Sequence, residues 1–105
     1  MPDVSLIDVY RARHAIAPYL QPTPLLQSPA LSAELGCDLW IKYEDCSPIR
    51  SFKGRGGVYR LLTLSDDYDG VVTASTGNHG QGIALGAQVT ERKAVVVVPD
   101  GALLR

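Results

Sequence analysis

A lysine set among glycines, Ser51-Phe52-Lys53-Gly54-Arg55-Gly56-Gly57, stands where a helix is expected to begin. A cation in the first turn opposes the positive end of the helix macrodipole, and Arg50 and Arg55 add like charge beside it. Both effects disfavour the ammonium form. A lysine held as the free amine is a nucleophile able to form a Schiff base with an aldehyde. A solvated lysine on an exposed helix start is the plain alternative, and these residues alone leave both open. A second glycine-rich turn, Ser75-Thr76-Gly77-Asn78-His79-Gly80-Gln81-Gly82, sits between a strand and a helix pattern. Its backbone N–H groups, the Ser75 and Thr76 hydroxyls and the Asn78 amide make a cradle for a carboxylate or phosphate. The same turn also reads as G-x-x-G-x-G, with Asp100 at the end of the next strand. That order is reversed from the G-x-G-x-x-G of dinucleotide-binding oxidoreductases, a weak match. A glycine-rich turn used only for packing is the third option. The two loops are expected to face one site.

The elements that must position these loops follow from pattern and punctuation. Residues 5–17 read as an amphipathic helix opened by a Ser5/Asp8 capping box, with Leu6, Val9, Tyr10 and Ile16 on its apolar side and Pro18 limiting it. His14 lies on it and is assigned no chemistry. Gln21-Pro22-Thr23-Pro24 cannot be helix interior, and Leu25-Leu26-Gln27 reads as a short extended piece. Ser28-Pro29 opens a short helix through Leu35, stopped by Gly36. Residues 38–44 form a strand, followed by turn residues 45–48. A helix runs from about Ser51 to Leu64, apolar in its later half. Gly54, Gly56 and Gly57 each cost roughly 0.8–1 kcal/mol there relative to alanine, so either something approaches the backbone or the helix packs tightly on a strand. After an acidic turn, residues 65–70, a buried strand (71–74), a helix rich in small residues (78–89) and a buried apolar strand (94–98) give β-α-β with parallel strands. Pro99-Asp100-Gly101 ends the last strand. Because such a sheet normally has more strands, the chain, which stops at Arg105, is expected to be a fragment or to need a partner.

Composition narrows the function classes. At 46% hydrophobic, 20% charged and net charge −1, the chain is globular, with scattered basic residues that predict no nucleic-acid partner. There is no apolar run long enough for a membrane span and no signal-peptide pattern at the N-terminus. Cys37 and Cys46 flank the expected strand, too far apart along extended chain to bridge, and lack metal-ligand spacing. Free thiols fit a cytoplasmic protein.

Four motifs occur in order: Pro22-Thr23-Pro24-Leu25, Lys42-Tyr43-Glu44-Asp45, Ser51 to Gly56, and Ser75 to Gly82. Together they resemble the N-terminal third of the fold-type II pyridoxal-phosphate enzymes, closest to the threonine/serine dehydratase and serine racemase branch. The resemblance implies an α/β fold of the tryptophan synthase beta-like kind, a three-layer parallel sheet. Residues 1–64 would begin the large domain and 65–105 the small one. It implies pyridoxal 5'-phosphate as cofactor, a small amino-acid substrate and a homodimer or higher homo-oligomer. Lys53 would carry the Schiff base and shuttle the Cα proton, Phe52 pack against the pyridine ring, and Asn78 bond the cofactor's 3-hydroxyl. Ser75, Thr76, Gly77, Asn78 and His79 would bind the substrate carboxylate. Thr76 falls where racemases carry a serine acting as acid/base on the opposite face, and His79 favours the dehydratase branch. The implied reaction is loss of ammonia from a β-hydroxy amino acid to give a 2-oxo acid, with racemisation or another β-elimination as the variants. The family usually has Thr-Gly where this chain has Ile49-Arg50, and Arg-Gly-Ala where it has Arg55-Gly56-Gly57.

Overall fold

The computed structural model describes residues 3–102. The order is helix α1 (Leu6–Ile16), strand β1 (Leu25–Gln27), helix α2 (Pro29–Leu35), strand β2 (Trp40–Lys42), a 3-10 turn (Glu44–Cys46), helix α3 (Lys53–Leu62), strand β3 (Gly70–Ala74), helix α4 (Asn78–Thr90) and strand β4 (Lys93–Val97). The start of α1 is the expected capping box: the Ser5 hydroxyl accepts from the Asp8 N–H, and the Asp8 carboxylate accepts from the Ser5 N–H. Gly36 stops α2 in the left-handed region at φ 66°.

β3 and β4 pair in parallel, Val72 opposite Val95 and Thr73 opposite Val96, with α4 as the crossover. β1 and β2 form a separate antiparallel pair. The strand expected over 38–44 is shorter than its composition suggested. Its partner offers only three residues, because Pro24 has no N–H and Ser28 already starts α2. Beyond Tyr43 the chain turns into the 3-10 segment.

The buried centre lies between α1, α3 and α4. Ile16, Leu20 and Val58 cluster there, with Tyr59, Leu62, Leu85 and Val89 packed against them. Leu61 is fully enclosed. Two expectations of burial are corrected. Of the apolar residues foreseen on α1, only Ile16 is buried, whereas Leu6, Val9 and Tyr10 are exposed. The β3–β4 sheet is covered on one face only: Val72 is 73% exposed, with Val95 and Val97 beside it in the open. α4 covers the face carrying Val96, and among the described residues no second layer covers the other.

Candidate active site at two neighbouring helix starts

α3 and α4 touch backbone to backbone. A Cβ on Gly82 would lie 2.6 Å from the Lys53 carbonyl oxygen, and one on Gly86 would lie 2.5 Å from that of Gly57. A Cβ on Gly57 would collide with the Gly82 carbonyl. The contacts advance together, 53 with 82 and 57 with 86, so the two helices run in the same direction. The approach anticipated from the glycines of α3 is therefore helix on helix rather than helix on strand. Gly56 is different, with no atom within 4 Å of its Cβ position. Parallel packing brings both N-termini to one end of the molecule. Lys53 abuts Gly82, four residues into α4, so Asn78 stands about one turn, ~6 Å along the axis, beyond it.

The start of α3 has no side-chain cap; Phe52 occupies the N-cap position in helical geometry. A local exchange takes its place. The Ser51 N–H donates to the Ser47 hydroxyl at 2.9 Å, that hydroxyl donates to the Ser51 carbonyl at 3.0 Å, and the Lys53 N–H donates to the Ser51 hydroxyl at 3.3 Å. The Lys53 side chain is exposed, its Nζ 5.3 Å from the centroid of the exposed Phe52 ring. It makes no ion pair or side-chain hydrogen bond among the described residues.

Arg55 does not act as an uncompensated like charge beside Lys53, as sequence proximity suggested. Its guanidinium forks onto the Glu44 carboxylate, Nε to Oε2 at 2.9 Å and Nη2 to Oε1 at 3.0 Å. The buried Thr23 hydroxyl donates to Glu44 Oε1 at 2.6 Å, and Lys42 Nζ donates to the Thr23 carbonyl. The Arg55 hydrogen bonds hold the Glu44 carboxyl below the usual carboxylate range, with Thr23 adding to the effect and partial burial opposing it. Thus the Pro-Thr-Pro, Lys-Tyr-Glu and Arg-Gly motifs meet in one polar network. Arg50 occupies the left-handed region at φ 54°.

The second turn is held from within. The Ser75 hydroxyl accepts from the Gly77 N–H at 3.3 Å and the Gly80 N–H at 3.1 Å. Gly80 itself lies against Val96. The N–H groups of Thr76, Asn78 and His79 donate to no acceptor among the described residues, and they surround the positive end of α4. A crevice of about 630 Å³ opens there, at the carboxyl ends of β3 and β4, lined by Ser75, Thr76, Gly77 and Asn78 together with Gln81 and Asp100. His79 is turned away, its Nε2 3.1 Å from the Thr73 hydroxyl. Lys53, Phe52 and His79 are not among the lining of this crevice. Gln81 was not singled out from the sequence, and Asp100 only as part of a dinucleotide pattern; neither type marks a site by itself.

Two parallel helices starting at one end of a parallel sheet, one on a lysine without a counter-charge and the other on a turn with free N–H groups, define a fragment of the fold-type II α/β class. Residues 16–103 match the family model for pyridoxal-phosphate dependent enzymes, and the chain belongs to that family. It is 45% identical over 85 residues to the L-threonine dehydratase biosynthetic IlvA of Mycobacterium leprae, a match covering 79% of this chain and 20% of that protein. It is 44% identical over 79 residues to threonine dehydratase 1 biosynthetic of Solanum lycopersicum, covering 73% and 13% respectively. Among solved structures, maize serine racemase superposes with a TM-score of 0.87 at 33% identity, over 95% of this chain and 31% of that one. The T.th. threonine deaminase does so with 0.83 at 44% identity, over 93% and 32%. The chain thus spans about a fifth or less of the length of these two sequence relatives and about a third of the structural ones. The dinucleotide reading of the second turn is set aside by this membership. Gly80 and Gly82 of that turn serve contacts to Val96 and to the Lys53 carbonyl.

The residues present fit the family's cofactor and an anionic group of a substrate bound beside it. An amine without a counter-charge suits an aldehyde. N–H groups without acceptors suit anionic oxygen. Gly77, with no atom within 4 Å of its Cβ position, leaves the turn open to a ligand.

Proposed function

We propose that the complete protein is a pyridoxal-phosphate-dependent threonine/serine dehydratase, converting a β-hydroxy amino acid into a 2-oxo acid and ammonia. The observation that carries the proposal is the parallel seating of α3 on α4, which brings an amine and a turn with free N–H groups to one end. The identity to threonine dehydratases supports the choice of reaction.

In this reading Lys53 holds the cofactor through its Nζ and later takes the Cα proton of the substrate on the same atom. Phe52 packs against the ring, and the Asn78 amide bonds the ring hydroxyl. Thr76, Asn78 and His79 offer free N–H groups to the substrate carboxylate, and Gly77, with open space at its Cβ position, lets that carboxylate approach the turn. Ser75 acts by holding the turn, since its hydroxyl already accepts from Gly77 and Gly80. The cofactor, when bound, supplies an electron sink for the pair left at Cα. Water leaves as the β-hydroxyl departs and water returns as ammonia is released, so the conversion needs no oxidant. Racemisation is the second reading, favoured by the fit to maize serine racemase. Thr76, which lines the crevice, would then exchange the proton on the face opposite Lys53. The proposal includes a cytoplasmic homo-oligomer and a division into a large domain containing residues 1–64 and a small one beginning at 65. The α3–α4 seam would lie between the two.

Borohydride reduction of the complete, cofactor-loaded protein tests the assignment. An adduct on the peptide containing Lys53 is the expected result; an adduct on another lysine, or none, rejects it. Lys53→Ala should leave activity below about a thousandth of the unaltered protein. Running the reaction in deuterated water separates the two chemistries, because racemisation alone labels Cα of both enantiomers of the recovered amino acid.

A further inference from the structure

The first turn of α3 contains Gly54 and Gly56, and its lysine side chain has no partner among the described residues. The Lys53 N–H rests on the Ser51 hydroxyl, and the Lys53 carbonyl lies against Gly82 of α4. The polar side chains that tie this turn to distant stretches of chain are those around Arg55. Arg55 is two residues beyond Lys53. Its fork onto Glu44, at 2.9 and 3.0 Å, ties α3 to the segment after β2. Thr23 closes the arrangement from a third segment, donating to Glu44 at 2.6 Å and standing 3.4 Å from Arg55 Nη2. Only 8% of Thr23 is exposed. Lys42 holds the Thr23 carbonyl, so the threonine is itself fixed at both ends. A planar guanidinium bound at two points sets orientation as well as distance.

We propose that Thr23, Glu44 and Arg55 are positioning residues for Lys53: they set where the first turn of α3 lies and hence where the lysine amine is delivered. This rests on the reading of Lys53 as the cofactor-binding amine. The three side chains do not touch the reacting groups; they act through the backbone of residues 53–55.

The test uses the complete protein and three variants: Thr23→Val, which keeps shape and removes the hydroxyl, Thr23→Ser, which restores it, and Arg55→Lys, which keeps charge and loses the fork. With cofactor present, Thr23→Val should slow reductive labelling of Lys53 about tenfold and lower kcat by a similar factor, with KM changed far less. Thr23→Ser should recover both. Without cofactor, hydrogen exchange should show protection lost selectively at residues 53–57 and retained in α4. Should Thr23→Val fail to fold, Arg55→Lys carries the same measurements. Labelling and kcat at the unaltered level in a folded Thr23→Val or Arg55→Lys protein would overturn the proposal, as would a uniform loss of protection through α4 and the β3–β4 pair. If the unaltered protein is not labelled at Lys53, the assignment of the amine itself has failed, a separate result from failure of the clamp.

Discussion

Arg50 and Glu91 hold left-handed backbone, at φ 54° and φ 56°. A side chain in that region costs about 1–2 kcal/mol, which glycine avoids while losing some chain entropy. Arg50→Gly and Glu91→Gly should therefore each raise unfolding free energy by up to about 1 kcal/mol, read from urea melts of the complete protein. The sequence carried a trace of this at one of the two sites. Ile49-Arg50 departs from the Thr-Gly usual in the family, and the left-handed dihedral of Arg50 shows what a glycine does at that position. The polar residues divide in the same way. Ser75, Thr76, Gly77 and Asn78 were legible from their place between a strand and a helix, and they do line one crevice. That Ser75 faces inward and that His79 bonds Thr73 depend on side-chain direction, which spacing does not encode.

At the scale of elements, the pairing of α3 with α4 decides most. Small residues on both helices announced close packing, yet not its partner, because a glycine pattern gives distance without naming what fills it. Gly57→Ala and Gly86→Ala each press a methyl into opposing backbone and should destabilise by about 3 kcal/mol or more, since backbone yields less than a side chain. Gly56→Ala is the matched control. With open space at that position, it should stabilise by up to about 1 kcal/mol through helix propensity. Comparing the midpoints of chemical unfolding across the three variants checks both signs. The strands were legible in kind and less so in burial. Val71-Val72-Thr73-Ala74 and the run from Ala94 read as buried on both faces because an apolar run records what a residue suits. Only the fold shows that α4 reaches one face.

For the molecule as a whole, two expectations follow. Glu44 has a folded-state pKa below its unfolded value, so its contribution is fully present above about pH 4.3 and is lost as pH falls through the depressed value. Stability measured from pH 7 downward should decline across that acid window. In Glu44→Gln the decline should be shallower, from a lower starting point at neutral pH. The second concerns exposed apolar surface. Leu6, Ile7 and Val9 on α1, and Val72, Val95 and Val97 on the sheet, are open to solvent. The 105-residue chain expressed by itself should bind a fluorescent apolar dye strongly and self-associate, measured by dye emission and light scattering. Sequence patterning had placed much of this surface in a core, and the residues do suit one; the layer that would cover them is not among those described.

Thr23, Glu44 and Arg55 come from three stretches of chain far apart in sequence, yet form a single unit. Their mutational effects should therefore not add: once one member is gone, removal of a second changes little. A scan that varies one position at a time would score all three as intolerant. A library that varies them jointly has an exit closed to the scan, since a packed apolar trio can replace a partly buried ion pair with no loss of stability.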